Sequence, residues 1–200
     1  NKRAGHFGVA ATFSFYPGKI LGAYGDAGIV VTQDPDLAKR MKILLDHGRT
    51  EKYTHKIPGY NYRLASLQAA ILNVKLKHLD RWLEKRREHV ELYNRLFAES
   101  DVRTPVETPD TRHVYTYYVI RTKGRDSVLE ALQEADIQAQ IHYPIPLHLQ
   151  PAFQYLGYEE GDFPVSEKAA GEILSLPLYP ELEYDQIHRT AEAVGEAIGG

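Results

Sequence analysis

Residues 14–28 read Ser14-Phe15-Tyr16-Pro17-Gly18-Lys19-Ile20-Leu21-Gly22-Ala23-Tyr24-Gly25-Asp26-Ala27-Gly28, so one lysine stands among turn-forming and small residues. No Asp or Glu occurs from Val9 to Tyr24 that could hold the Lys19 ammonium group charged. An amine condenses with an aldehyde only when it is unprotonated, and such a lysine is usually desolvated or lies near other positive charge. Lys19 is therefore a candidate Schiff-base lysine. The alternative is a surface lysine in an ordinary Gly/Pro turn.

Strands are predicted on both sides of this loop. The apolar run from Val9 to Phe15 predicts a buried strand that delivers Lys19 to a cleft, and residues 27–32 predict a second strand. A helix is expected next, with its start at Asp34-Pro35-Asp36 and its stop at Gly48. Residues 49–60 contain helix breakers and no sustained period, which predicts an exposed arm.

The longest periodic element covers residues 65–100. Its apolar residues recur mostly at steps of three and four among charged ones: Leu67, Ile71, Val74, Leu79, Trp82, Leu83, Val90, Tyr93 and Leu96. This spacing predicts one long amphipathic helix that could bridge two domains. Residues 101–111, with two prolines, read as a boundary. After it we expect a strand at 113–122, a helix at 126–135, a strand at 137–142, a proline-rich loop and two closing helices.

Composition excludes several classes of protein. The chain has 200 residues, 43% hydrophobic and 26% charged, with a net charge of −3, which is typical of a globular protein without a strong polyelectrolyte partner. The basic run at residues 85–87 is flanked by Glu84 and Glu88 and reads as a solvated helix face rather than a nucleic-acid patch. No apolar run approaches the ~20 residues that span a bilayer, so we expect no membrane partner and a cytoplasmic location. The absence of cysteine excludes disulfides and thiolate metal sites within these residues.

Several blocks in a fixed order carry a family resemblance. Besides residues 14–28 they are Asp46-His47-Gly48, Gly59-Tyr60-Asn61-Tyr62-Arg63-Leu64 leading into Leu67-Gln68-Ala69-Ala70, His142-Tyr143-Pro144-Ile145-Pro146-Leu147-His148, and Ser175-Leu176-Pro177-Leu178-Tyr179-Pro180. Together they resemble the DegT/DnrJ/EryC1/StrS family of sugar aminotransferases over essentially all 200 residues. The resemblance implies an α/β fold of pyridoxal-phosphate transferase fold type I. It makes residues 1–100 the C-terminal part of the cofactor-binding large domain, including the long bridging helix, and residues 101–200 a smaller α+β C-terminal domain.

The resemblance also implies residues that hold pyridoxal 5'-phosphate. Lys19 would anchor the cofactor and then serve as acid and base for the proton transfer. Ser14, five residues earlier, would bind the phosphate, and the alternative is a satisfied hydroxyl at a strand end. Asn61 resembles the asparagine that reaches the phosphate of a neighbouring subunit's cofactor, which implies a homodimer with shared active sites. Asn61 could also be an N-cap, because it precedes the long helix.

The loop that contains Tyr143 and His148 approaches the active site in the family. The resemblance therefore makes both residues candidate substrate contacts, although His148 could equally have a structural role. A zinc site at His142 and His148 is disfavoured, because the two intervening prolines prevent a regular helix and no carboxylate lies between the histidines. We expect no metal.

The implied reaction is transamination of a keto-sugar nucleotide in amino-sugar biosynthesis, with glutamate as the amino donor. The family's deoxygenating branch carries a histidine at the position of Lys19, so the lysine argues against it. Two rival hypotheses are a non-catalytic cofactor- or sugar-binding regulatory protein on the same fold and an inactive fragment. Family members are nearly twice as long and carry the lysine near their middle. We therefore expect a C-terminal portion that is a poor catalyst alone, since the residues that stack on the cofactor ring and pair with its nitrogen would lie upstream.

Overall fold

The computed structural model describes residues 2–199, which form two compact units that meet in sequence between Asp80 and Arg81. We call residues up to Asp80 unit 1 and residues from Arg81 onward unit 2. The division falls inside the segment 65–100, before the expected boundary at 101–111. The assignment of residues 1–100 and 101–200 to the two domains of a larger fold stays a prediction.

Unit 1 opens with a two-stranded antiparallel sheet. Strand β1 (Ala10–Ser14) pairs with β2 (Gly28–Thr32) in a register that places Ala10 opposite Thr32 and Ser14 opposite Gly28. Both predicted strands are confirmed, but the expected burial of the first is wrong. The last three residues of β1 and the first four of β2 are exposed, because within unit 1 little else packs on this sheet.

Helix α1 (Pro35–Leu45) begins where the sequence predicts. The Asp34 carboxylate accepts hydrogen bonds from the N–H groups of Asp36 and Leu37, at 2.9 and 3.0 Å, and thereby satisfies two donors that the first helical turn leaves unpaired. Gly48, in the left-handed region at φ 72°, donates its N–H to the Ile43 carbonyl beyond the helix end. The following arm is exposed as expected and forms a hairpin of β3 (Arg49–Glu51) and β4 (Thr54–His55).

The prediction of one continuous helix over 65–100 is wrong. The structure has two helices, α2 (Ser66–Leu76) and α3 (Leu79–Leu96), separated by Lys77 and His78. The N–H groups of these two residues bond to carbonyls three residues earlier, at 3.3 and 3.0 Å, so the backbone tightens into a turn. The apolar residues that predict the helix step by five across this turn, from Val74 to Leu79, and then return to a step of three, so a prediction from the overall period passes over it.

Unit 2 has a continuous apolar core. Strand β5 (Tyr118–Arg121) pairs antiparallel with β6 (Ile173–Leu176), and the helices α4 (Arg125–Glu134), α5 (Pro164–Glu172) and α6 (Tyr184–Gly199) belong to the same unit as most of α3. Two short 3₁₀ helices cover 147–149 and 151–156. The core side chains exposed by less than 2% are Tyr93, Tyr118, Ile120, Val128, Leu132, Leu174, Ile187 and Val194.

The strand predictions for unit 2 are only partly correct. The expected strand at 113–122 is reduced to β5, and the expected strand at 137–142 does not form. Only Gln140 pairs there, in a single bridge to Ser175, because the partner strand is the unpredicted β6. Strand β6, in the Ser175 block, therefore lies between β5 and Gln140 and pairs with both.

The basic run at residues 85–87 is more than a solvated face. Arg86 is partly buried and donates to the carbonyls of Tyr115 and Leu178, at 3.2 and 2.9 Å. Arg87 makes two hydrogen bonds to the Glu107 carboxylate, at 3.0 and 2.8 Å. These cations join α3 to the chain that follows it. No helix within residues 2–199 has the length and apolar character needed to cross a membrane.

Candidate active site

Two backbone hydrogen bonds close the loop that contains Lys19. The Lys19 N–H donates to the Tyr16 carbonyl at 2.8 Å, which forms a tight turn, and the Ala23 N–H donates to the Phe15 carbonyl at 2.8 Å. Gly22 is required where the loop folds back, because a Cβ there would lie 2.4 Å from the Pro17 carbonyl oxygen. The lysine side chain is exposed at the outer end of this turn.

Helix α2 anchors the same loop from outside. The Gln68 side-chain oxygen accepts the Tyr24 N–H at 2.8 Å, and the Lys75 ammonium group donates to the Gly22 carbonyl. The Lys75 ammonium group also lies 5.6 Å from the centre of the Tyr24 ring, in a cation–π contact. Neither Gln68 nor Lys75 had a predicted role, because contacts across 44 and 53 residues leave no local pattern in the sequence.

Ser14 and Lys19 belong to one turn, and their joint role in one site stays a prediction. The Ser14 Oγ accepts the Tyr16 N–H at 3.2 Å, and the carbonyl of the same tyrosine accepts the Lys19 N–H. The hydroxyl is therefore a hydrogen-bonded group at a strand end. A hydroxyl that accepts one hydrogen bond still has its hydrogen to donate, so Ser14 can bind an outside oxygen as well.

The groups on this turn suit an aldehyde that carries a phosphate. Within residues 2–199, Lys19 forms no ion pair with a carboxylate. Its amine is exposed and can meet a carbonyl carbon, and the Ser14 hydroxyl supplies a donor for an anion.

Asn61 lies on extended backbone beside the end of α1. It bridges to Asp46, and its neighbours Tyr60 and Tyr62 donate their N–H groups to the carbonyls of Leu44 and Leu45, at 2.7 and 2.9 Å. The two tyrosine rings stack with their centres 4.8 Å apart. Among the residues that the structure describes, the Asn61 side chain makes no hydrogen bond and none links it to Ser14 or Lys19.

The interpretation of Asn61 as a helix cap is wrong. The N-cap of α2 is Ala65, which has no side-chain oxygen, and it lies four residues beyond Asn61. The chain between them forms no helical turn, so the asparagine cannot reach the first turn of the helix. Its amide is therefore not committed to α2.

Asp46 has a role that its sequence block did not reveal. Its carboxylate lies 2.5 Å from the guanidinium groups of both Arg49 and Arg63. The hydrogen bonds from Arg49, and then those from Arg63, lower the pKa of Asp46 below its ordinary value despite some burial. We call Asp46, Arg49 and Arg63 together the Asp46 clamp. In the Asp46-His47-Gly48 block, the only local sign of this clamp is an acidic residue two positions before the glycine that follows α1.

His148 has a structural partner. Its Nε2 lies 2.9 Å from Oε1 of Glu167, and only 9% of its side chain is exposed. Burial raises the pKa of Glu167, but hydrogen bonds from the N–H groups of Phe163 and Gly161, and from His148, outweigh burial and lower it. The geometry favours the structural role for His148 over a direct substrate contact.

Tyr143 has the opposite environment. It is 70% exposed and lines an open cleft of about 850 Å³ within unit 2, together with Ile145, His148 and Phe163. The ring of His148 forms part of the wall, while the Tyr143 side chain is accessible. Of the two residues predicted in this loop, Tyr143 is the more exposed, and its role as a substrate contact stays a prediction.

His142 and His148 do not converge on a metal. The His142 Nδ1 lies 2.9 Å from the Ser175 hydroxyl, and its ring stacks on Tyr117 with the centres 4.1 Å apart. Burial lowers the pKa of His142. Over residues 2–199, no group of three or more histidine, aspartate or glutamate side chains is arranged to hold a metal ion.

Comparison with known proteins gives one family. The model of the DegT/DnrJ/EryC1/StrS aminotransferase family matches residues 1–195. A relative from Geobacillus stearothermophilus named pleiotropic regulatory protein is 48% identical over 198 residues, which cover 98% of this chain and 53% of that protein. The dTDP-3-amino-3,4,6-trideoxy-alpha-D-glucose transaminase of Streptomyces venezuelae is 41% identical over 98% of this chain and 52% of its own length.

Solved structures agree with the family match. The crystal structure of S. venezuelae DesV in complex with a ketimine intermediate superposes with a TM-score of 0.93 at 42% identity, covering 98% of this chain and 53% of that one. This likeness confirms the predicted fold class. The chain spans about half the length of the relatives that it matches.

Proposed function

Because the chain belongs to the DegT/DnrJ/EryC1/StrS aminotransferase family, we propose that it carries the reactive lysine of an enzyme that aminates a keto-sugar attached to a nucleotide. The names of its relatives support this substrate class, since one of them is a transaminase of a dTDP-linked amino sugar. The observation that carries the proposal is Lys19, which among residues 2–199 forms no ion pair with a carboxylate and lies on a loop that backbone hydrogen bonds and contacts from α2 hold in place.

We assign three residues to pyridoxal phosphate. When bound, the cofactor supplies an aldehyde for an amine and a ring that withdraws electrons from the carbon being deprotonated. Lys19 would hold the aldehyde carbon through Nζ and would later move a proton on the same atom, as acid and base. Ser14 Oγ would donate a hydrogen to the phosphate, and the Asn61 amide of a second copy would donate another. The active site then needs two chains, so we propose a homodimer.

The turn geometry explains how one lysine performs both tasks. The Tyr16 peptide holds Ser14 through its N–H and the Lys19 backbone through its carbonyl, so the phosphate donor and the amine share one rigid peptide. Because the loop backbone is hydrogen-bonded, the Lys19 side chain would serve both tasks without movement of the loop. We propose glutamate as the amino donor, so that each of two substrates in turn gives up or accepts the amino group.

A second candidate is a regulatory protein that binds the cofactor or a sugar without turnover. The name of the Geobacillus stearothermophilus relative supports it. A binding protein has no need of a free base at Lys19, whereas catalysis does. Turnover of a keto-sugar nucleotide with glutamate distinguishes the two candidates.

Borohydride trapping tests the proposal. The full-length protein is incubated with pyridoxal phosphate, reduced and mapped by peptide mass spectrometry. We expect a single adduct on Lys19 that is absent from Lys19→Ala, with Lys75→Arg as the control for another lysine of the same unit. Adducts spread over many lysines would contradict the assignment. A Lys19 adduct without amino transfer to dTDP- or UDP-linked keto-sugars would favour the regulatory candidate.

A further inference from the structure

The Asp46 carboxylate binds Arg49, at the start of the β3–β4 hairpin, and Arg63, two residues after Asn61. We propose that Asp46 is a positioning residue, which fixes the backbone of Asn61 so that its amide binds a phosphate oxygen of pyridoxal phosphate. The inference rests on the proposed function, because it takes the cofactor phosphate as the ligand of Asn61. It adds a residue whose side chain touches neither the cofactor nor the substrate.

The two segments, residues 46–49 and 56–63, cross in backbone contact. A Cβ on Gly48 would lie 1.6 Å from the Ile57 carbonyl oxygen, and a Cβ on Gly59 would lie 2.1 Å from the Gly48 nitrogen. Only glycine allows this approach. Both glycines of the Asp46 and Asn61 sequence blocks are therefore explained by one crossing.

Backbone hydrogen bonds connect the segments on both sides of the crossing. The His47 N–H donates to the Tyr60 carbonyl at 2.8 Å, and the Lys56 N–H donates to the Gly48 carbonyl at 2.9 Å. Asp46 itself bridges to Asn61. The position of the Asn61 backbone is thus defined relative to the end of α1.

The Asp46 carboxylate adds the charged link. One oxygen accepts from Arg49, which opens the β3–β4 hairpin, and the other accepts from Arg63, two residues after Asn61. The Asp46 side chain is only 21% exposed, whereas the side chains of Arg49 and Arg63 are 41% and 46% exposed. One side chain therefore holds the hairpin and the Asn61 segment together.

The Asn61 amide is presented outward on this fixed backbone. Side chains alternate along extended chain, so Tyr60 and Tyr62 share one face and Asn61 takes the other. The stacked tyrosine rings, parallel to within 3°, reinforce that alternation. Within residues 2–199 the amide has no hydrogen-bond partner, so its donor is available to an outside anion. Only the backbone of Asn61 is held in place.

A direct contact between the phosphate and Arg49 or Arg63 is the alternative to positioning, and it predicts the opposite change in phosphate affinity when the Asp46 charge is removed. If Arg49 or Arg63 bound the phosphate directly, loss of the Asp46 charge would free a cation and strengthen phosphate binding. If Asp46 acts through Asn61, loss of its charge loosens the segment and weakens phosphate binding. The sign of the change separates the two.

Affinity for two related ligands tests the proposal in the full-length protein. Dissociation constants are measured for pyridoxal phosphate and for pyridoxal, which lacks the phosphate, in wild type, Asp46→Asn, Asn61→Ala and the double variant. We expect each single variant to weaken pyridoxal phosphate binding about tenfold, the loss of one hydrogen bond to a charged group. The double variant should lose no more than either single variant, because both changes remove the same contact. Pyridoxal affinity should not change.

Two further measurements keep the test independent of folding defects. Asp34→Asn removes the carboxylate at the other end of α1 and should leave both affinities at their wild-type values. Hydrogen exchange at the Tyr62 and His47 amides should rise at least tenfold in Asp46→Asn and stay unchanged in Asn61→Ala. If Asp46→Asn does not fold, Arg63→Gln removes one of the two ion pairs and should change the same quantities in the same direction.

The outcomes are distinguishable. Unchanged or tighter pyridoxal phosphate binding in Asp46→Asn, additive losses in the double variant, or an equal loss for pyridoxal would each overturn the positioning role. Those results leave the Lys19 adduct and the proposed function intact. Failure of the wild type to bind pyridoxal phosphate at Lys19 would overturn both.

Discussion

Gly48→Ala should destabilise the crossing beside Asn61 far more than an ordinary glycine substitution. The added Cβ would lie 1.6 Å from the Ile57 carbonyl oxygen, and atoms in contact need about 3.5 Å, so the segments must separate by about 2 Å. That separation breaks the hydrogen bonds from His47 to Tyr60 and from Lys56 to Gly48, each worth about 1 kcal/mol. Left-handed backbone at φ 72° adds about 1–2 kcal/mol for a residue with a side chain. The expected cost is about 3–4 kcal/mol.

Gly124→Ala is the matched control. Gly124 has a similar φ of 65°, but nothing lies within 4 Å of an added Cβ, so only the backbone term of about 1–2 kcal/mol applies. Urea denaturation measures the free energy of unfolding of both variants, and native-state hydrogen exchange at the His47, Tyr60 and Lys56 amides shows that the loss in Gly48→Ala lies at the crossing. Gly59→Ala, which clashes without a left-handed φ, should cost about 2 kcal/mol, the two hydrogen bonds alone. Equal costs for Gly48→Ala and Gly124→Ala would refute the reasoning, since the crossing would then have room for a methyl group.

Three other predictions concern unit 2. Leu174→Ala should lower the free energy of unfolding by about 2–5 kcal/mol in urea denaturation, because the side chain is fully buried in the core. Hydrogen bonds from Arg87 and from the His113 backbone lower the pKa of Glu107 to about 2, below its unfolded value. Its stabilising effect is therefore present above about pH 4.5 and lost as the pH falls toward 2, and Glu107→Gln should flatten the acid limb of a plot of Tm against pH. Tyr143→Ala should raise KM for the sugar nucleotide and change the free energy of unfolding by less than about 0.5 kcal/mol, since the side chain is 70% exposed. A loss of stability as large as that of Leu174→Ala would contradict the exposed position of Tyr143.

Local chemistry explains the parts of the fold that the sequence predicts correctly. The start of α1 depends on Asp34 and the N–H groups two and three residues later, so it can be read from neighbours. Strands β1 and β2 follow from short apolar runs, and the glycine-rich stretch between them marks a tight loop. Ser14 and Lys19 both bond to the Tyr16 peptide because each lies within three residues of it.

Features that depend on distant contacts were not predictable. The turn at Lys77 and His78 leaves only one five-residue step in an apolar pattern that then resumes, and β6 exists because it pairs with a strand more than 50 residues earlier. The burial of β1 was predicted from its apolar composition, but burial depends on what packs against the sheet.

The Asp46 clamp shows the same limit at the candidate site. The sequence block around Asp46 was visible, and so was the block around Asn61. Their connection through Arg63 spans 17 residues and a hairpin, and the two clashes at Gly48 and Gly59 appear only when the segments are placed together. The sequence therefore indicated the two blocks, but not that Asp46 connects them.

The most direct test of the central claim is borohydride trapping of the full-length protein with pyridoxal phosphate, followed by peptide mapping. We expect one reduced adduct on Lys19, in the turn that also holds Ser14, and its loss in Lys19→Ala. A protein that forms no adduct, or that is labelled equally at its other exposed lysines, would contradict the assignment of Lys19 as the reactive residue.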